Sequence, residues 1–452
     1  MTQCNGKRMV FRAHAQREVV ASFDGGTISS DGGVVLLREV DRRLKLVERL
    51  ARCFSDERSP LLVKHRVAEL VAQRVYALAL GYADLNDHEQ LRADPLLAVA
   101  AGKLKPGDEV LAGKSTLNRL ERSAGSSDRY HKIHYDAAAI DRLLVTLFVE
   151  AHRRAPAQIV IDLDTTDLAL HGGQEGRFFH GYYDHYCYLP LYLFCGEHLL
   201  GVRLRTADQD AAAGCVEEIA RIVAQIRRAW PEARIVLRAD SGFCRDELMS
   251  WCEAQGVEYV LGLARNKRLR GIVEKPMRKA KHLRRRTGTA ARVFTEFNHE
   301  TTTGSWSRRR RVVAKCEQLE DKENPRYVVT SLSRNEWPAR TLYEELYCAR
   351  GEMENRIKEQ MSLFAERVST ATLRANQLRL YLSAMAYVLM HGLRRLALVG
   401  TEFAKAQAQT IRLKLLKIGA QVRVSVRKVW ISMASSYPYQ ALFETLYQRL
   451  RI

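Results

Sequence analysis

Cysteine is sparse and unpatterned: nine residues are scattered over 452, and none forms a Cys-x-x-Cys pair. That excludes a disulfide framework and a cysteine-based zinc module, and it fits free thiols in a reducing compartment. No run of about 18 uninterrupted apolar residues occurs, so no membrane span is expected. The first residues, MTQCNGKRMVFRAH, lack the apolar stretch of a secretory leader. Phosphate-cradle motifs are missing too. GKST at 113–116 has Asp108 where a P-loop needs its first Gly, and neither Asp24-Gly25-Gly26 nor Asp31-Gly32-Gly33 leads into Lys-Ser/Thr or fits GxGxxG. Negative charge is short: 52 Asp and Glu face 72 Lys and Arg, a net charge of +20. Such a surplus favours a polyanionic partner, with DNA or RNA foremost.

What is present describes a folded chain of two or three domains, with 46% hydrophobic and 27% charged residues. VVASFDGGTISSDGGVVL (19–36) predicts short strands joined by glycine turns. From 36 to about 101 the apolar spacing turns helical, with Ser59-Pro60 as a helix start. Ser115 or Thr116 is expected to cap a helix through Leu117 and Leu120. Its Lys114, Asn118, Arg119 and Arg122 either touch DNA or form an exposed charged face. A loose segment (123–136) and a helix (about 137–152) follow.

The character then changes. QIVIDLDTTD (158–167), YLPLYLFCG (188–196) and HLLGVRLR (198–205) predict strands, the last two a hairpin around Gly196. A helix over about 210–229, a strand ARIVLRAD (233–240), a helix (244–255) and a strand VEYVLGLA (257–264) complete the order of an RNase H-like α/β sheet. Residues 265–286 hold eleven Lys/Arg against one Glu, with strand-like runs at 291–297, 308–319 and 325–332. We read a β-rich insertion bearing a basic ridge that forms a nucleic-acid groove through Arg265, Lys267, Arg268, Arg284, Arg285 and Arg286. Trp306 and Trp337 are read as packed aromatics rather than stacking platforms for a flipped base. YLSAMAYVLMHGLRRLAL (381–398) predicts a buried helix, and the tail from 391 to 452 has eleven Lys/Arg against two acids.

The expected fold is therefore α/β: an RNase H-like catalytic core interrupted by a β-rich basic insertion, with a mainly helical N-terminal DNA-binding region and a helical C-terminal region. In residues these are 1–136 (N-terminal region), 137–264 and 338–398 (the two parts of the core), 265–337 (the insertion) and 399–452 (a basic C-terminal region).

Three carboxylates stand at chemically meaningful places. Asp164 and Asp240 end the first and fourth predicted strands, which are neighbours in such a sheet, and Glu354 lies on a later helix. Asp162 and Asp167 are rivals for the first place, since Asp162 and Asp164 share a strand face. Converging carboxylates hold two Mg²⁺ ions through hard oxygen ligands and so support in-line phosphoryl transfer. In YEELYCARGEMENRIKEQ, Tyr347, Arg350, Glu354 and Lys358 follow i, i+3, i+7, i+11 and share one helical face. Glu352, about 200° around from Glu354, is set aside. His185 and Cys187, with no second pair nearby, are read as strand residues rather than a soft-metal site.

Asp164-Thr165-Thr166, RADSGF (238–243) and Tyr347-x2-Arg350-x3-Glu354 together resemble the DDE transposases of bacterial insertion sequences. The likeness is nearest the branch called family thirteen-eighty, within the group with a Tyr-Arg-Glu-Lys signature. It also takes in FDGGTISSDGG, LGYADLNDHEQLRADP, GYYDHYCYLPLY and RGEMENRIKEQ, and so spans nearly the whole chain. The resemblance selects Asp164 over its rivals and implies Asp164, Asp240 and Glu354 as ligands of two Mg²⁺, with Mn²⁺ able to substitute. It implies Tyr347 and Arg350 as contacts to the DNA end, Arg being a bidentate phosphate clamp. The signature Lys falls seven positions after the Glu, where this chain has Met361; Lys358 is the substitute on the helix face. The implied activity is binding of terminal inverted repeats in double-stranded DNA, cleavage, and transfer of 3′ ends to target DNA. A homodimer on DNA, in a bacterial cytoplasm and on the nucleoid, goes with it. The alternatives are a structure-selective RNase H-like nuclease and a DNA-binding protein without catalysis.

Overall fold

The computed structural model describes residues 8–103, 110–122, 130–301 and 304–451. The chain divides into two units: Ala137–Met361 with Val368–Tyr381, and Met1–Asp136 with Ser362–Arg367 and Leu382–Ile452.

The first of these is built on a mixed sheet of eight strands: β1 (Gln158–Thr165), β2 (Leu191–Cys195), β3 (His198–Arg203), β4 (Arg234–Ala239), β5 (Glu258–Leu263), β6 (Ala291–His299), β7 (Arg310–Gln318) and β8 (Arg326–Thr330). Their order is β3-β2-β1-β4-β5-β8-β7-β6. β4 runs parallel to both β1 and β5, and every other pairing is antiparallel. Gly196 (φ +57°) makes the β2–β3 turn, a conformation that costs glycine nothing.

Side-chain alternation sorts the sheet into two faces. On one, Ile159, Ile161, Leu163, Ile235, Leu237, Tyr259 and Leu261 are buried under helices α1 (Ala137–Glu150), α2 (Cys215–Ala229) and α3 (Asp246–Ala254). α2 meets the sheet through Ile219, Ile222, Val223 and Ile226, an i, i+3, i+4, i+7 stripe. Each such side chain contributes about 1.5–3 kcal/mol by leaving water. On the other face Val236, Val260, Val313 and Val328 pack against Leu342, Tyr343 and Leu346. The even-numbered residues of β1, which include Asp162 and Asp164, belong to this second face.

The stretch expected as a separate insertion continues the same sheet, because β8 pairs with β5 along Val260–Leu263. Its basic ridge is helical: α4 (Lys267–Ile272), capped by the Asn266 side chain, and α5 (Glu274–Thr287). α5 buries only Met277 and Ala280, so its Lys and Arg residues fall mostly on the open side.

In the other unit, Val67–Leu80 is a helix buried all round from Glu69 onward. Ser59-Pro60 opens only a single turn, Pro60–Leu62; the helix begins at Val67, where the Glu69 carboxylate accepts from the Arg66 amide (3.1 Å). Residues 34–36, expected as strand, begin the helix Val34–Leu44. Gly32 and Gly33 lie so close to the backbone of 415–418 that a Cβ on Gly33 would sit 2.1 Å from the Leu415 carbonyl. Lys114–Glu121 is a helix, but Gly113 is its cap and Glu89 accepts from the Lys114 amide (2.9 Å), so Ser115 and Thr116 lie inside it. Part of the expected loose segment lies outside the described residues; Ile133–Tyr135 within it pairs with Phe54–Asp56. The buried helix expected over 381–398 starts earlier, at Leu373, and residues 382–398 group with this unit. The tail is not wholly helical: Ala420–Val424 and Val429–Met433 form a hairpin that adds to Ile28–Ser29. Among the described residues no helix is long and apolar enough to cross a membrane.

Candidate active site

The segment that covers the second sheet face does not wind as one α-helix. Leu342–Tyr347 takes a wide π turn, Cys348–Arg350 a tight 3₁₀ turn, and only Gly351–Ser362 (α6) is α-helical. The even stripe expected from Tyr347 to Lys358 is thus broken between Tyr347 and Gly351, because the turns before α6 do not advance by 100° per residue.

A buried arginine fixes this irregular turn to the sheet. Arg238 of β4 lies beside Asp162 of β1 in register, donates Nε and Nη2 to its two carboxylate oxygens (2.5 and 2.7 Å), and sends Nη1 to the Leu346 carbonyl (2.5 Å). Both side chains are buried. Asp162 is therefore occupied structurally, as half of a clamp. From sequence, Arg238 enters only as the first residue of RADSGF, with no role given to it; the further signal was a cation near the end of an apolar strand, IVLRA.

Tyr347 packs beside the same strands. A Cβ on Gly262 of β5 would fall 2.6 Å from the Tyr347 hydroxyl, 2.8 Å from the Ser241 nitrogen and 3.1 Å from the Asp240 carbonyl carbon. Gly262 is thus the space into which the phenol and the β4 exit loop fit. Burial raises the Tyr347 pKa, Arg350 opposes that and the Asp240 charge adds to it.

Arg350 bridges two of the three carboxylates. Its Nη1 donates to Asp164 Oδ2 at 2.8 Å, and its Nη2 stands 3.6 Å from Glu354 Oε1. Burial works against the guanidinium charge, but Asp164, Tyr347, Asp240 and Glu354 outweigh it and hold its pKa above the ordinary value. Burial pushes Asp164 up to about 6, Arg350 pulling it down and Asp240 adding to the rise. Asp240, one residue past β4, accepts from the Gly242 amide at 2.8 Å and so caps the turn Ser241–Phe243. Among the described residues no group of three or more His, Cys, Asp or Glu stands close enough to hold a metal ion. Asp164 and Glu354 both face a cation that the chain itself supplies. Carboxylate oxygens of this kind are the donors that hard divalent cations use.

The remaining predicted residues are dispersed. Lys358 is exposed on α6. Arg265 donates to Asn324 (2.7 Å) and Arg268 to the Glu300 carbonyl (3.1 Å). Lys267, Arg285 and Arg286 are exposed and Arg284 is half-buried. Lys114 and Arg119 are exposed in the other unit, where Lys114 Nζ reaches Asn86 (3.3 Å). His185 Nε2 donates to the Asp167 carboxylate at 2.8 Å. Trp337 packs partly buried against the Val236 cluster, and Trp306 lies edge-on to His299 with Arg310 over its ring.

A search of curated proteins finds no match. Among solved structures, the chain is similar to one from the cryo-EM structure of a piggyBac transposase synaptic complex with hairpin DNA. That likeness has a TM-score of 0.39 and 10% identity, over 86% of this chain and 80% of the other. The family model described as transposase DDE domain, group 1, matches residues 11–452. Since that match runs from the first hairpin to the C-terminal helix, the chain belongs to the DDE transposase family, group 1.

Proposed function

We propose that this protein is the transposase of an insertion sequence of the thirteen-eighty branch. In this reading it binds the element's terminal inverted repeats, cleaves them by metal-dependent phosphodiester hydrolysis and transfers the 3′ ends to target DNA. Strands β1 to β5 with α1 to α3 are its RNase H-like core. The carrying observation is the Arg350 guanidinium held on Asp164 at 2.8 Å within reach of Asp240 and Glu354. It supports a site built to hold positive charge at the ends of two adjacent strands.

Asp164, Asp240 and Glu354 are the proposed metal ligands. Bound Mg²⁺, or Mn²⁺ in its place, would supply activation of water or a 3′-OH and stabilisation of the leaving oxygen. The chain's own residues do the rest. Arg350 neutralises the acidic nest while DNA is absent and exchanges Asp164 for a DNA phosphate when the end arrives, for which a planar five-donor group is suited. Tyr347 orients that end, and Lys358 offers a further cation from α6. Arg265, Lys267, Arg268 and the α5 arginines attract the duplex by charge, as do Lys114 and Arg119 in the other unit. Two ends processed together call for a homodimer on DNA.

The test is end cleavage and strand transfer by the purified full chain with Mg²⁺, comparing wild type with Asp240→Asn. We expect the variant to bind terminal DNA normally and to lose cleavage by at least about 10³-fold, a transition-state loss of about 4 kcal/mol. Full activity in the variant would remove Asp240 from the chemistry. Cleavage by the wild type without joining of labelled 3′ ends to plasmid would favour a nuclease instead.

A further inference from the structure

Beyond Asp164 the chain runs into a second, small sheet. Leu168–Ala169 pairs antiparallel with His185–Tyr188, which pairs in turn with Phe178–His180. The link between the last two strands is the tight turn Gly181–Asp184, in which Asp184 takes φ +58°. This hairpin carries its large side chains outward: Tyr182 is 86% exposed, Phe178 48%, Phe179 45% and Tyr186 41%. Apolar surface left in water at this density is what a binding face presents, since covering each ring is favourable.

The chemistry of the face narrows the occupant. RFFHGYYDHY (177–186) contains rings but no aliphatic side chain, which suits stacking better than the mixed packing of a protein interface. Register sets Phe179 opposite Tyr186, their rings edge to face at 5.6 Å, and the Arg177 guanidinium lies 4.0 Å from the Tyr186 ring centre. Flat rings beside a cation match a base beside its phosphate. The turn is also anchored toward the acidic nest. His185 pairs with Asp167 at 2.8 Å, three residues past Asp164, and Tyr183 lies edge-on to Tyr182 at 5.1 Å.

We propose that the hairpin is a stacking site for an unpaired nucleobase at a DNA end, with Tyr182 as the platform and Arg177, seated over Tyr186 of the same hairpin, as a phosphate contact. The proposal rests on the transposase reading, which brings a DNA end to Asp164, but its test needs no catalysis. With divalent metal chelated, the full chain is titrated against a blunt duplex and against the same duplex with a short single-stranded overhang carrying 2-aminopurine. Wild type should favour the overhang by about tenfold, the scale of one base–aromatic stack, and should quench the probe. Tyr182→Ala should lose both the preference and the quenching while binding blunt DNA as before; Tyr182→Trp should keep them. Equal binding of the two duplexes by wild type overturns the proposal, as does an intact preference in Tyr182→Ala. Loss of a DNA-free dimer in Tyr182→Ala, seen by sedimentation, would assign the face to a second copy and overturn it as well. A chain with the overhang preference but no metal-dependent cleavage would undo the transposase reading alone. Cleavage without the preference would undo this one alone.

Discussion

At residue scale, the half-buried Arg350 and the fully buried His88 show opposite outcomes of burial. Arg350 is stabilised as a cation by the acids around it, and in the proposed function it would compete with metal for Asp164 in the DNA-free protein. Removing it should expose the nest: Arg350→Ala is expected to bind Mn²⁺ at least about tenfold tighter without DNA, and yet to bind terminal DNA more weakly. Calorimetric titration of wild type and variant checks this, and unchanged Mn²⁺ affinity would mean that Arg350 does not hold the cation site. His88, in the other unit, is fully buried between Gln73 (2.8 Å) and Arg74, which donates to its Nε2 at 3.0 Å. Burial first, then the Arg74 charge, lowers its pKa from 6.5 to about 3. A folded value below the unfolded one favours the neutral ring. Its stabilisation is complete above about pH 6.5 and is lost as the pH falls toward 3. Between those values the unfolded chain binds one proton more, so stability should drop by about 1.4 kcal/mol per pH unit from this group. Urea unfolding from pH 7 to 5 measures the slope, and His88→Gln should flatten it.

At element scale, the decisive object is the π–3₁₀ junction before α6. A regular α-helix would satisfy the Leu346 carbonyl within itself; here Arg238 reaches it from β4, and Asp162 holds Arg238 in place. Irregular winding of this kind re-aims side chains, and it turns Arg350 toward Asp164 while Glu354 stays half in solvent, with 54% of its side chain exposed. Gly262 is the matching concession in the sheet. Gly262→Ala should cost about 1–3 kcal/mol, because a new methyl would meet Tyr347 and the Ser241 amide. Tyr347→Phe in the same chain should restore part of that loss by removing the hydroxyl at 2.6 Å. Thermal unfolding of the single and double variants reads both effects, and a neutral Gly262→Ala would show that the phenol is not held there.

At the scale of the whole molecule, the proposed function assigns encounter with DNA to charge and the chemistry to the sheet. With a net charge of +20, much of the affinity for DNA should come from counterion release. The logarithm of the binding constant should fall linearly with the logarithm of salt concentration, with a slope of about −0.9 for each phosphate neutralised. Replacing Arg285 and Arg286 together with Gln should flatten that slope by up to about 2 if both meet phosphates. An unchanged slope in filter-binding titrations would take α5 out of the interface.

Much of the central sheet was legible because β1 to β5 are largely apolar runs of five to eight residues bounded by turn chemistry, and this pattern is local. Asp164 and Asp240 could be found for the same reason: a carboxylate that ends an apolar strand breaks its pattern visibly. The basic ridge misread as part of a β insertion shows the limit. Its residues are so charged that only Met277 and Ala280 mark the buried side of α5, too few to display a period. The cap at Gly113 was missed because Glu89, which receives the Lys114 amide, is far away in the chain.

The sequence by itself determined the strand-and-helix order of the sheet, the positions of its acids at strand ends, and the excess of positive charge, since each depends on neighbouring residues or on composition. Only the tertiary structure decided that β8 extends the sheet from β5, that Asp162 is spent on Arg238, and that Arg350 sits on Asp164. Those outcomes depend on which distant backbones come close enough to pair hydrogen bonds and charges. The 186 residues that separate Asp164 from Arg350 carry no local signal of that meeting.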